Sequence, residues 1–517
     1  MGQLDYGSEQ NRIFLLDQPA DRRWGTRMAR WEFAFEIDRS HGASFVQQIA
    51  SALTAEIQRG RLHPGDRLPG SRTLARTLRV HRQTVVSAID ELVAEGWLVS
   101  RRASGVFVAS LPEQPSRKLA QAARIRRRIA SQFALSVNPS PPAELPRVVP
   151  TGTILMSGTR PDVRLVPADL IGRAYRRVLH RFGPALVSYG DPAGLPRLRE
   201  ALAAMLSATR GLAVDPGSVL VTRGSQMALA LVARALTRPG DAIAVEHPGY
   251  RPAWEAFRIA GAEIVPLRVD EHGVDLQALQ RVIARRSIRA VYVTPHHQYP
   301  TTVTLTVARR LALLQLAAQE RFAIIEDDYD HEFHYSGRPV LPLASADAAG
   351  LVIYIGTLSK VLAPGLRLGF IVAPGDLIER LVAYRSFVDL QGDPVLESAV
   401  AELFEEGLIQ RHVRKMRRIY RARLETLAAA LRTQLGHFLT FRKPAGGTAI
   451  WVRAQDARTM TRWAHAARGA GVAFDSGAAF MMNGTATSNA RLGFACLNDH
   501  ELREAATRLA TAAARVR

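Results

Sequence analysis

The chain has 517 residues, of which 47% are hydrophobic and 22% charged, with a formal net charge of +21. That length suits about two to four domains of a soluble, globular kind. No apolar run approaches the roughly 18 residues of a membrane span, the single cysteine, Cys496, excludes an internal disulfide and fits a reducing cytoplasm, and no His/Cys cluster has metal-ligand spacing.

Residues 1–30 show no sustained period and lack the basic start and apolar core of a signal peptide; they read as an extension. Residues 1–140 hold 21 Lys/Arg against 13 Asp/Glu, a net of +8, a charge that suits an anionic polymer. A helical pattern occupies 31–110. In "SFVQQIASALTAEIQRG", Val46, Ile49, Ala50, Leu53 and Ile57 share one helical face. "LHPGDRLPG" breaks the pattern, and "SRTLARTLRV" predicts a short helix capped by Ser71, with Leu74, Ala75 and Leu78 inside. After a turn at Val80-His81, "RQTVVSAIDELVAEG" buries Val85, Ala88, Ile89, Leu92 and Val93 and leaves Arg82, Gln83, Thr84 and Ser87 on the other face. Two short helices across a tight turn make a helix-turn-helix, in which the start of the second helix meets base edges. "WLVSRRASGVFVAS" predicts a hairpin about Ser104-Gly105 that carries Arg101 and Arg102 as a wing. Pattern alone leaves a small helical bundle with incidental basic residues as the alternative.

The wording is more specific than the pattern. "PGDRLPGSRTLARTLRVHRQTVVSAIDELVAEGWL" resembles the GntR-type winged helix. The resemblance implies that double-stranded DNA is contacted by Arg72, Arg82 and Thr84, with Ser71 and Gln83 as further candidates. His81 stands where that family usually has serine.

Residues 111–150, proline-rich at both ends and basic in the middle ("RKLAQAARIRRR"), read as a linker with room for a short helix. From 151 to 517, the apolar runs "SVLVT", "AIAVE", "EIVPL", "AVYVT", "FAIIEDD", "LVIYIG" and "LGFIVA" alternate with helical segments, the mark of an α/β domain with a largely parallel sheet. The chain has only four lysines among its 68 basic residues, and one of them, Lys360, lies in "TLSKVLAPGLRLG" between Thr357, Ser359 and Arg367. A lysine amine condenses with carbonyls, and an arginine with two hydroxyls suits a phosphate. "FAIIEDDYDHEF" sets four acids at a strand's carboxyl end, where open α/β sheets bind ligands. Asp327 is the candidate there for a pyridine nitrogen and Tyr329 for a ring hydroxyl; a solvated loop or a metal-binding acidic cluster is the other reading. "VLVTRGSQMALALVARAL" turns from strand to helix at Gly224, offering the free amides of Ser225 and Gln226 to a phosphate. Tyr250 in "EHPGYRPAWEAF" is a candidate ring cover.

Taken in order, "YGDPAGLPRLRE", "TRGSQMAL", "HPGY", "EDDYDHEF", "TLSKVLAPGLRLG" and "ARLGFACL" resemble the fold-type I aminotransferases that use pyridoxal 5'-phosphate (PLP). That resemblance implies Lys360 as the catalytic Schiff-base lysine. It implies Asp327 at the ring nitrogen, Tyr329 at the ring oxygen, Tyr250 stacked on the ring, and Ser225, Gln226, Thr357, Ser359 and Arg367 on the phosphate. Tyr189 matches a tyrosine that reaches the phosphate of a partner subunit, so a homodimer is implied, and Arg491 matches the arginine that takes a substrate carboxylate. "HHQYPTT" departs from the N-P-T-G of free-standing aminotransferases, with Thr302 in the glycine's place, so no ring contact is assigned there.

A winged helix, a linker and an aminotransferase-like domain together resemble the MocR family of transcriptional regulators. The implied function is a PLP-dependent, cytoplasmic DNA-binding regulator that senses a small amino compound, or PLP itself, with no membrane partner. The alternative is a working PLP-dependent aminotransferase that carries a DNA-binding domain.

Overall fold

The computed structural model describes residues 37, 39, 43–101, 104–110, 150–156, 158, 160–337 and 340–516. The extension 1–30, the linker as far as residue 149, and Arg102 of the predicted wing lie outside them. Contacts divide the chain into Met1–Phe133 and Ala134–Arg517.

In the first unit three helices, Phe45–Gln58, Ser71–Leu78 and Arg82–Ala94, precede an antiparallel hairpin of Leu98–Arg101 and Gly105–Val108. Ser44 and Gln47 close a reciprocal capping box on the first helix, which satisfies amide donors that the helix cannot pair internally. Ile49, Leu53, Val85, Ala88 and Leu92 form the centre of the core and are essentially solvent-free. Burial of each of the larger ones is worth about 1.5–3 kcal/mol relative to exposure. Of the expected inward residues, Val46, Leu78 and Val93 sit only part-buried at the margin. The second helix differs from expectation at its start. Gly70 occupies the cap position and Ser71 is the first helical residue, so its hydroxyl is released from capping.

All seven apolar runs of the second unit are strands of one eight-stranded sheet. Its order is Val219–Thr222, Gly369–Val372, Val352–Thr357, Ala323–Asp328, Ala290–Val293, Ala242–His247, Glu263–Asp270 and Gly273–Val274. The five strands from Val352–Thr357 to Glu263–Asp270 run parallel, while Gly369–Val372 is antiparallel to both neighbours. Apolar side chains line both sheet faces under helices, as a covered parallel sheet requires. A smaller antiparallel sheet in the order Thr440–Phe441, Ala449–Arg453, Asn489–Gly493 and Asp475–Ser476 packs with the helices Leu408–Leu435, Ala457–Gly469 and Asp499–Ala514. Its strands have two to five residues, too few for alternation to register in the sequence.

Candidate functional site

Because the parallel strands point the same way, their carboxyl ends converge on one edge of the sheet. A cavity of about 640 Å³ opens there. Asp327 arrives on Ala323–Asp328, Tyr292 and Thr294 on and just after Ala290–Val293, and Thr357, Ser359 and Lys360 from Val352–Thr357 onward. Nine of the sequence candidates line this one space: Ser225, Gln226, Tyr250, Asp327, Tyr329, Thr357, Ser359, Lys360 and Arg367. They come from five separate segments spread over more than 140 residues.

Asp327 is the electrostatic centre of the floor. Its Oδ2 accepts a 2.8 Å hydrogen bond from the Tyr292 hydroxyl, and its Oδ1 has no hydrogen-bond partner among the described residues. Burial pushes its carboxyl up to about 7, and the nearby positive charge of Lys360 works against that rise. A buried acceptor with an open lone pair costs about 1–3 kcal/mol when it stays unpaired. The site therefore has a standing demand for a donor at that position. The Tyr329 hydroxyl donates to the His297 carbonyl at 2.8 Å, and Tyr250 meets Tyr299 edge-on at a centroid distance of 5.3 Å.

Tyr292, Thr294 and Glu246 were not singled out in the sequence. Glu246 accepts from the Thr294 amide and hydroxyl at 3.0 and 2.6 Å and from Gln298 Nε2 at 3.3 Å; burial pushes its carboxyl up to about 7. The signals for them were a tyrosine in "AVYVT" and an acid at the end of "AIAVE", both polar residues inside otherwise apolar strands. The "HHQYPTT" loop keeps the glycine-like backbone despite the missing glycine: Thr302 has φ +64°, rare for a β-branched residue.

The candidate phosphate side lies at the N-terminus of the helix Ser225–Leu236. Gly224 takes φ +79°, and a Cβ there would fall 2.8 Å from Arg367 Nη2. Only glycine satisfies both the conformation and the approach. Arg367 itself has φ +52° and donates to the Arg223 carbonyl at 3.0 Å, with the rest of its guanidinium exposed. Buried Thr357 and Ser359 sit beneath it, linked by a 3.1 Å bond from the Ser359 amide to Thr357 Oγ1. An amine, a buried acid and a cluster of anion-binding donors thus share one cavity.

Two candidates stand apart from it. Tyr189 is 84% exposed, and Gly190 beside it donates to Gln391 Oε1 at 2.5 Å. Arg491 is buried in the small sheet, donates to the Gly158 carbonyl at 2.9 Å, and lies over the Tyr299 ring at 4.9 Å. It does not line the cavity itself, but its charge acts on the Tyr329 phenol that does, and its Nε and Nη2 lack hydrogen-bond partners among the described residues.

The fold also corrects the reading that histidines have no metal-ligand arrangement. His296, His297 and His334 bring ligand atoms within 4.8 Å of one another, as do His296, Asp328 and His331. The pairs lie about 35 residues apart in sequence. Adjacent parallel strands ending at Val293 and Asp328 put their following loops side by side.

In the first unit the residues expected to meet DNA lie together at the open ends of two helices. Arg72, Arg82 and Gln83 are exposed and Thr84 and Ser71 half-buried. Arg82 Nε donates to the Ser71 hydroxyl at 3.3 Å, which ties the two helix starts. His81 caps the Arg82–Ala94 helix by accepting the Gln83 amide on Nδ1 at 3.3 Å. A histidine thus performs the capping that serine would perform.

The comparisons agree with both halves. The family "Aminotransferase class I and II" matches residues 167–509, and "Bacterial regulatory proteins, gntR family" matches 45–108. The probable rhizopine catabolism regulatory protein MocR of Rhizobium meliloti is 34% identical over 92% of this chain and 95% of that protein. Aromatic-amino-acid aminotransferase 1 of Thermococcus litoralis is 32% identical over 74% of this chain and 93% of its own length. Among solved structures, the multiple substrate aminotransferase of Thermococcus profundus superimposes with a TM-score of 0.67 at 29% identity, over 71% of this chain and 92% of that one. The fold-type I aminotransferase family generally binds PLP, and the match to MocR spans both regions of this chain. The chain therefore belongs to the MocR family of transcriptional regulators, in which a gntR-family DNA-binding domain is joined to an aminotransferase class I and II domain.

Proposed function

We propose that this regulator holds PLP in the 640 Å³ cavity and reads a small amino compound there, changing its grip on a double-stranded DNA operator. The observation that carries the proposal is the convergence on one cavity of Lys360, the incompletely paired Asp327 and the anion-binding set of Ser225, Gln226, Thr357, Ser359 and Arg367. When bound, PLP supplies an aldehyde that condenses with amines and a pyridine ring that withdraws electrons.

The chain's own residues divide the remaining work. Lys360 is the amine that would hold the cofactor's aldehyde carbon, at a position an effector amine could also reach. Asp327 Oδ1 is the acceptor for a ring N–H, with Tyr292 fixing the carboxylate's other oxygen. The Tyr329 hydroxyl serves the ring oxygen and Tyr250 covers one ring face. The Ser225–Leu236 helix N-terminus and Arg367 take the phosphate. Arg491, packed against Tyr299 and acting on Tyr329, is the cation for a carboxylate or sulfonate on the effector. A ligand shifts the regulator only by its differential affinity for the two states.

A homodimer is part of the proposal. Tyr189 and Phe387 are 84% and 93% exposed, and Val187 and Val388 beside them are also exposed. Large apolar residues left together in water mark an interface. Paired winged helices would engage two half-sites. A DNA-binding role and a single cysteine support a cytoplasmic location.

The likeness to an aromatic-amino-acid aminotransferase keeps a second reading, turnover, in view. Visible absorption during titration with amines, amino acids and sulfonates separates the two. Under the proposal one compound moves the cofactor band, the change stops there, and operator affinity changes with it. Sustained exchange with a keto acid would favour the enzyme. Borohydride reduction followed by peptide mapping is expected to label Lys360; an unlabelled Lys360 would defeat the assignment.

A further inference from the structure

The histidine cluster behind the Tyr329 loop is not needed by the proposed cofactor chemistry. His296 is buried. Both of its ring nitrogens lack a hydrogen-bond partner among the described residues. Protein interiors seldom leave such groups unpaired, and an ion or water at the site is the usual reason. His297 presents the arrangement seen in metal ligands: Nδ1 lies 2.8 Å from Asp330 Oδ1, and Nε2 has no hydrogen-bond partner among the described residues. His334 is hydrogen-bonded to the Ser336 backbone, and its Nε2 is likewise without a partner. A carboxylate or backbone group fixing one ring nitrogen while the other faces inward is how proteins orient histidine ligands. The glycine at 446 keeps the approach to His297 clear, because a Cβ there would lie 2.5 Å from Nε2.

We propose that His296, His297 and His334 bind one divalent transition cation of the zinc class. Three imidazole ligands select zinc, nickel, copper or cobalt over magnesium or calcium, which require oxygen ligands. Asp330 orients His297, and together with Asp328 it offsets the added positive charge. In the alternative trio of His296, Asp328 and His331, Asp328 Oδ2 already accepts the Tyr354 hydroxyl at 2.7 Å and lies 2.9 Å from His331 Nδ1, so binding there would have to displace those contacts or use Oδ1 alone. A cavity of about 310 Å³ is lined by His334 and offers an entry path from that side. The His297 carbonyl accepts the Tyr329 hydroxyl, so the ion would stiffen the loop that positions this tyrosine. The inference does not depend on the cofactor reading.

The test uses tag-free, full-length protein stripped with chelator, dialysed against zinc, and analysed for metal content with and without PLP. One zinc per chain is expected in both forms, and cobalt should give visible ligand-field bands. His296→Ala and His334→Ala should each weaken binding by more than about 100-fold. His500→Ala, at a side chain 86% exposed, should leave it unchanged. His334 is only half-buried, so its variant tests the site even if His296→Ala fails to fold. Wild-type protein that retains no zinc overturns the proposal and leaves water as the occupant. Loss in His331→Ala with retention in His334→Ala overturns the ligand assignment.

Discussion

Replacing Arg367 by alanine and, separately, by glycine pulls apart two quantities that the native residue combines. The backbone at 367 has φ +52° and ψ +49°, a left-handed conformation that costs an L-residue about 1–2 kcal/mol. Glycine escapes that cost but gains about 0.4–1 kcal/mol of freedom in the unfolded chain. The glycine variant should therefore be more stable than the alanine variant by about 0.5–1 kcal/mol in cofactor-free protein. Both lose the same exposed hydrogen bond to the Arg223 carbonyl, so that term cancels between them. Both also lose the guanidinium. Charge-assisted hydrogen bonds are worth about 1.5–3 kcal/mol each, so removal of a two-bond forked contact should cost about 3–6 kcal/mol, or roughly 100- to 20,000-fold in PLP affinity. Denaturant titration of stripped protein measures the first quantity and absorption titration with PLP the second. Wild-type affinity in both variants would remove Arg367 from the phosphate site. Equal stability of the two variants would show that the left-handed backbone is not strained in solution.

Tyr292→Phe leaves Asp327 Oδ2 without its 2.8 Å donor and should cost about 1–3 kcal/mol in denaturant unfolding; a neutral result would refute the role given to that bond. Folded Glu246 holds its proton up to about pH 7, against an ordinary value of 4.5. The folded state thus binds more protons than the unfolded state between those values, and this group's contribution makes stability fall as pH rises through the window. The full effect is on the order of 3 kcal/mol, and Glu246→Gln should flatten the wild-type stability–pH curve by that amount. Arg82→Ala should weaken operator binding by about 1–3 kcal/mol if the side chain reads a base, or lower the salt slope by about one if it meets a phosphate; an unchanged operator affinity at several salt concentrations would exclude both.

The order of elements and the identities of most pocket residues were legible because each depends on local chemistry. Apolar runs of strand length, a lone lysine between hydroxyls and arginine, and a glycine between strand and helix all carry their meaning within a few residues. The winged helix was read the same way, down to the buried stripe of Val85, Ala88 and Leu92. The cap of the second helix was misplaced by one residue, since Gly70 and Ser71 differ only in backbone angles that a sequence does not display.

What only the tertiary structure decided was which distant residues share a surface. Tyr292 became the partner of Asp327 because strands that end at Val293 and Asp328 lie parallel and adjacent. The same adjacency gathered His296 and His297 with His331 and His334, whose spacing along the chain gave no hint of a common centre. Arg491 and Tyr189 were named through the resemblance alone, and the fold puts one over the Tyr299 ring in the small sheet and the other in solvent. Local sequence sets the backbone and the polarity of each segment through interactions a few residues long. The meeting of side chains across a sheet edge depends on strand order and direction, which are fixed only when the whole core is buried at once.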